Sequence, residues 1–175
     1  MKQQSLVSAF CVLAAICIML SCTKERSDSL EKGTQSAGLK AGKEKPFVPI
    51  KGVYLTTNEV LAPPPMVLTR ITGIGESSHL GQGRFVAVST MNQTTPPPFQ
   101  LGGTCIFYAA NGDTFTSTFT GTATPGPGRI TVIVDHIITG GTGRFEGAIG
   151  SFTGTSIVNP ANTTNSITYE GMISY

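Results

Sequence analysis

After Lys51 the chain contains no lysine: all seven lie between Lys2 and Lys51, so the formal charge of +2 belongs to the N-terminal stretch. The remainder carries four arginines against six carboxylates and is slightly acidic. A nucleic-acid surface needs clustered Lys and Arg, so that class of partner is excluded. Histidine is scarce: His79 and His136 are the only two, far apart in sequence. No His-x-His or Cys-x-x-Cys pair offers local metal-ligand spacing. A metal site would need folding to gather Glu76, His79 and His136, and neither a metal nor another cofactor is expected. The Gly-x-Ser-x-Gly elbow of a serine hydrolase is also missing. No window shows a helical apolar period, which leaves strands.

What is present divides into three segments: 1–21, 22–51 and 52–175. Lys2 precedes an uncharged, mostly apolar run from Leu6 to Leu20, which ends at Ser21-Cys22. The run is shorter than the ~20 residues that a bilayer-spanning helix needs. A basic start, a short apolar core and a small residue before the cut describe a secretory signal. With Cys22 directly after the cut, it resembles the bacterial lipoprotein leader, although Met19 and Leu20 stand where the usual motif has Leu and a small residue. The resemblance implies lipidation at Cys22. The expected location is then the bacterial cell envelope, with a lipid anchor in the outer membrane and the protein on its periplasmic or surface face. Residues 23–51 are rich in Lys, Glu, Ser and Gly and nearly lack bulky apolar side chains. Such a segment cannot bury enough surface to order itself. As a tether it would span roughly 25–30 Å.

Residues 52–175 suffice for one domain with one core. Thr, Ile, Val, Phe and Gly dominate, and turn clusters recur at near-regular intervals, as in a sandwich or barrel. Eight strands are expected, at 52–61, 66–75, 83–91, 103–110, 113–123, 129–139, 148–158 and 166–174. Asn111-Gly112 between alternating runs is a strong hairpin signal. Alternation assigns faces. Phe115, Ser117 and Phe119 share the buried side of one strand, opposite a threonine row. Ile130, Val132, Val134, His136 and Ile138 share one side of the next strand. Ile167, Tyr169, Ile173 and Tyr175 share a side of the last strand, with Gly171 between them. Three glycines within Gly140-Gly141-Thr142-Gly143 let a strand turn sharply, and Phe145 just after them suits a plug closing one end of a barrel. A ligand-contacting loop is the alternative. An eight-stranded antiparallel barrel has an interior that side chains fill or that holds one small ligand.

Candidate chemistry rests on few groups. Asp135 lies mid-strand between Ile133 and Ile137, so either that face is wet or the carboxylate is buried and able to act as an acid or base. Glu76 and His79 cluster at a strand end, where they would line a barrel mouth or serve a turn. Asp113 follows the hairpin glycine and is expected to hold the turn; Glu170 is expected to be solvated. Once Cys11 and Cys17 leave with the leader and Cys22 carries lipid, Cys105 is alone. No intramolecular disulfide can then form, and a buried apolar thiol is the expected state.

Gly75-Glu-Ser-Ser-His-Leu-Gly81, Ala109-Ala-Asn-Gly-Asp113 and Ile138-Thr-Gly-Gly-Thr-Gly-Arg-Phe-Glu-Gly-Ala-Ile-Gly150 resemble the bacterial branch of the allene oxide cyclase barrel-like domains. The resemblance covers roughly residues 50–175 and implies the barrel fold shared by plant allene oxide cyclases and dirigent proteins, an eight-stranded antiparallel barrel with a central cavity. Fold alone does not carry function. The leading expectation is a non-catalytic module. Its cavity would hold a small apolar or amphipathic ligand, with His79, His136 and Tyr169 as candidate contacts, or its outer face would bind a partner, a second copy included. The alternatives are a cyclase or isomerase using Asp135 or Glu76, and a structural envelope protein with a filled barrel.

Overall fold

The protein is described by a computed structural model over residues 45–162 and 164–175. The leader, the cut before Cys22, its lipidation and most of the tether lie outside the described residues. The strands are β1 (Val48–Ala62), β2 (Met66–Ser77), β3 (Gly81–Asn92), β4 (Phe99–Tyr108), β5 (Thr114–Gly126), β6 (Arg129–Gly141), β7 (Ile149–Val158) and β8 (Thr164–Ser174). Each pairs antiparallel with the next, and β8 closes on β1 from Val48↔Ile173 to Thr57↔Thr164. The barrel therefore has no free sheet edge to cover.

All eight expected strands form, and their ends move by a few residues. β1 starts at Val48 and β4 at Phe99, each four residues before the expected start. Pairing partners account for both extensions. Val48 faces Ile173 on β8, and Phe99 faces Ala123 on β5, so ladder bonds hold segments whose own sequence is not strand-like.

Alternation sets the interior. Ile50, Tyr54 and Thr56 of β1 point in and are buried, while Lys51, Val53 and Leu55 point out. Phe115, Ser117 and Phe119 are buried on β5, as are Val134, His136 and Ile138 on β6. A bulge between Thr116 and Ser117 along the β5–β6 ladder shifts the register so that Ser117 faces Ile138 and Thr116 faces Gly140. Such a bulge adds twist where the strand approaches its corner.

The Gly-rich corner closes one end of the barrel. After Gly141 a single 3₁₀ turn, Gly143–Phe145, tucks Phe145 inward with no exposed surface. Its ring packs 5.6 Å from Phe115 and 4.9 Å from Tyr175, centroid to centroid. Gly143 has φ +57°, and a Cβ there would run into the Asp113 carboxylate, so both backbone and space require glycine. Asp113 holds this end together. It accepts from Asn111 Nδ2 at 2.7 Å within the hairpin and from the Arg144 backbone N–H at 3.3 Å across the corner. Leu80, Ala109 and Ala148 complete the buried floor.

Candidate functional site

The other end of the barrel is open. On β1, the inward positions are buried through Thr56, but Asn58 and Val60, which also face in, are exposed, Val60 by 64%. Burial is lost there because both positions border a cavity. A cavity of about 310 Å³ fills this upper half, and Val67, Ala87, Leu101, Ala123, Val132 and Ile167 are among its walls. Its rim consists of the connections β1–β2, β3–β4, β5–β6 and β7–β8, which carry Pro63, Pro64, Pro65, Pro96, Pro97, Pro98, Pro127 and Pro160. Proline fixes φ, so the rim loses little chain entropy when something enters.

The cavity floor is aromatic and centres on His136. Its imidazole stacks on Phe152 at 4.4 Å with an interplanar angle of 12°, tilts against Phe119 at 4.9 Å, and meets Tyr169 edge-on at 5.4 Å. Below them Tyr54, Phe85 and Phe107 continue the aromatic stack to the plug. His136 Nδ1 is 2.9 Å from the Ser117 hydroxyl. Its Nε2 is buried and has no hydrogen-bond partner. Most buried polar atoms are paired, so this nitrogen is an exception enclosed in the aromatic packing rather than a group presented to the cavity.

Electrostatics keep the floor neutral. Burial drives the His136 pKa down to about 3, opposed only in part by the nearby Asp135 carboxylate. Burial pushes the Tyr54 phenol up to about 12 and the Tyr169 phenol well above its ordinary value. The Cys105 thiol, 1% exposed, is likewise pushed up by burial. It is the inert apolar thiol expected of a strand interior. Among the described residues that line the cavity, none carries a formal charge.

Of the five candidate site residues, the fold brings His136 and Tyr169 together at the cavity floor. His79 is elsewhere. It occupies the β2–β3 turn at the closed end with φ +67°. There Nε2–H donates to the Pro49 carbonyl at 2.9 Å, which leaves Nδ1 to accept from the Tyr175 hydroxyl at 3.1 Å. Arg144 Nη2 donates to the His79 carbonyl. His79 is thus a clasp between the two ends of the domain and the plug, not a cavity contact. Asp135 sits on the outer face, exposed, where it accepts from Thr153 Oγ1 at 2.7 Å. The strand's period of two fixes this: with His136 inward, its neighbour must point out. Glu76 also points out, since Ser77 beside it is buried, and borders a shallow outer groove near Arg84 and Tyr108. Neither carboxylate reaches the cavity. Glu170 is solvated as expected, paired with Lys51 at 2.6 Å with both side chains mostly exposed. Glu76, His79 and His136 are not gathered, and no cluster of three metal-ligating side chains occurs among the described residues.

Ser117 was not expected at the site. Its signal was present: a lone hydroxyl on the buried phenylalanine side of β5 must find a buried partner.

No family model matches the chain, and no curated protein sequence does. Among solved structures, the pterocarpan synthase dirigent protein GePTS1 is similar, with a TM-score of 0.55 and 16% identity over 77% of this chain and 94% of that one. The likeness shows a dirigent-like barrel fold, in agreement with the fold implied by the glycine-rich motifs.

Proposed function

We propose that this chain is a non-catalytic envelope lipoprotein, held at a membrane through lipid on Cys22, whose barrel takes up a small apolar or amphipathic molecule. The observation that carries the binding role is the open, apolar cup of about 310 Å³ with no charged side chain on its walls. A filled interior would have favoured a purely structural barrel. An acid facing the cavity would have favoured a cyclase or isomerase, but Glu76 and Asp135 both point outward. The leader pattern ending at Ser21-Cys22 supports the anchored location, in the outer membrane on its periplasmic or surface face. The proline-rich rim supports ready binding, because a preorganised site spends less on ordering itself.

A neutral solvatochromic dye of the prodan type tests the cup directly. Titrated into the mature protein, it is expected to brighten and shift to the blue with saturable 1:1 stoichiometry. Ala123→Phe places a ring inside the wall, because Ala123 is buried and lines the cavity. That variant is expected to fold and to bind the dye at least ~10-fold more weakly, since overlap with a filling side chain costs on the order of 1–3 kcal/mol. Equal saturable binding by both proteins would place the dye outside the barrel and sink the proposal.

A further inference from the structure

We infer that the cavity is two-sided and takes small amphipathic molecules with two or more neutral hydrogen-bonding groups along one edge, which seat on an arc formed by Asn58, Thr69 and Ser89. This rests on the binding role proposed above and adds the ligand's chemical class and its orientation.

Three neighbouring strands build the arc. Asn58 on β1, Thr69 on β2 and Ser89 on β3 all line the cavity. The registers place Thr69 directly opposite Ser89 on one side and Val60 on the other. Asn58 lies two residues before Val60 on the same face, diagonal to Thr69. Directly opposite side chains have Cβ atoms about 5 Å apart and diagonal ones about 7–8 Å, so one small molecule can touch all three. Among the described residues, the side-chain polar atoms that are both enclosed and unpaired are Tyr54 Oη and His136 Nε2. The Thr69 and Ser89 hydroxyls make no side-chain hydrogen bond among the described residues and are not among those enclosed atoms, so they open on the cavity. Asn58 is exposed within the cup.

The facing wall offers no such group. In the closed circle of strands β6 stands opposite β2, with β5 and β7 beside it. These strands contribute Ala123, Ile130, Val132, Val134 and Val158. His136, lower on β6, keeps its Nε2 enclosed. Ser156 on β7 donates to the Ser166 carbonyl at 2.6 Å, and Thr56 on β1 donates to the Asn165 carbonyl at 3.3 Å, so both hydroxyls are engaged within the wall. The Tyr169 phenol lies at the floor on β8, beside β1 and therefore on the arc's side. A bound molecule is thus oriented. The amide and the two hydroxyls of the arc each donate and accept, so ligand hydroxyls, carbonyls and amides all find partners there. The same groups turned toward β6 would be buried unpaired, which opposes binding.

Two isomeric diols of one skeleton separate the sides. In p-menthane-3,8-diol both hydroxyls share one edge; in p-menthane-1,8-diol they sit at opposite ends. Each is titrated into the full mature chain in lipid nanodiscs at pH 7, with empty discs as the reference. The edge diol is expected to bind roughly 10-fold tighter, because its isomer cannot set both hydroxyls on the arc and leaves one unpaired. The double variant Thr69→Val with Ser89→Ala removes two hydroxyls of the arc. It is expected to narrow that preference to less than ~3-fold and still to take up the neutral dye. If the isomers bind the native chain alike, if neither binds while the dye does, or if the preference persists in the double variant, the arc does not select the ligand and the binding role stands. If neither diol nor dye binds saturably, both fail together.

Discussion

Replacing Phe145 by alanine is expected to lower the unfolding free energy by about 3–5 kcal/mol, the range for removing a buried aromatic ring from a packed core. Phe145 has no exposed surface, and its ring lies against Phe115 and Tyr175. It is also the only large side chain of the 3₁₀ turn that enters the barrel, so its removal leaves a cavity that the glycine-bounded corner cannot fill by collapsing. Since whole domains are stable by only about 5–15 kcal/mol, one substitution would remove a large share. Equilibrium unfolding in urea measures it. Phe47→Ala is the comparison, at a ring 52% exposed and outside the barrel interior, and should change stability by less than ~0.5 kcal/mol. Equal effects at the two positions would mean that Phe145 does not plug the barrel.

The second large effect is a loss of stability in mild acid that traces to His136. Its pKa in the folded protein is lowered to about 3 by burial, against 6.5 for the free side chain. The unfolded chain therefore binds more protons than the folded one between these values. The stability contributed by keeping the imidazole neutral is complete above pH 6.5 and is lost as pH falls toward 3. Linkage makes the slope about 1 kcal/mol per pH unit within that window, or on the order of 3 kcal/mol between pH 6.5 and pH 4. Asp135, adjacent on the outer face, raises the His136 pKa somewhat and so reduces the effect. The paired variant Ser117→Ala with His136→Phe removes both members of the buried hydrogen bond, leaving neither orphaned. Such a replacement is expected to keep stability at pH 7 within ~1 kcal/mol of the native chain and to flatten the acid slope. A variant that retains the full slope would assign the acid sensitivity to other groups. The same comparison bears on function, because a histidine whose removal costs nothing in stability is not there to hold the barrel together.

Much of the barrel is legible in the residues themselves. Period-two alternation with β-branched and aromatic side chains locates every strand, and the face containing Phe115, Ser117 and Phe119 is the buried one. The Gly140–Gly143 run marks the closed end because positive φ and close approach to Asp113 leave room for little else. Strand ends are less legible. Val48 and Phe99 are held in the ladder by Ile173 and Ala123, partners more than twenty residues away, and local sequence carries no trace of them.

The site is legible in part, for a related reason. His136 and Tyr169 follow from inward parity on β6 and β8. Asp135 could have been settled by the same parity, because a strand cannot turn adjacent side chains to one face. Glu76 needed the observation that Ser77 faces in. His79 was beyond such reasoning: its left-handed turn conformation and its bonds to Pro49 and Tyr175 join segments from the two ends of the domain. Whether the interior is open or filled depends on how far the aromatic rings of six strands reach along the axis. Those rings happen to gather in the lower half, so the upper half stays empty. No single strand records that distribution.

The most direct measurement is native mass spectrometry of the mature chain purified from its own host, alongside Ala123→Phe prepared in the same way, with whatever is released on denaturation identified. A defined small apolar or amphipathic molecule is expected at one per chain in the native protein, and its loss in the variant. Repeated recovery of an empty native protein, together with no saturable uptake of the neutral dye, would contradict the reading of the barrel as a binding cup.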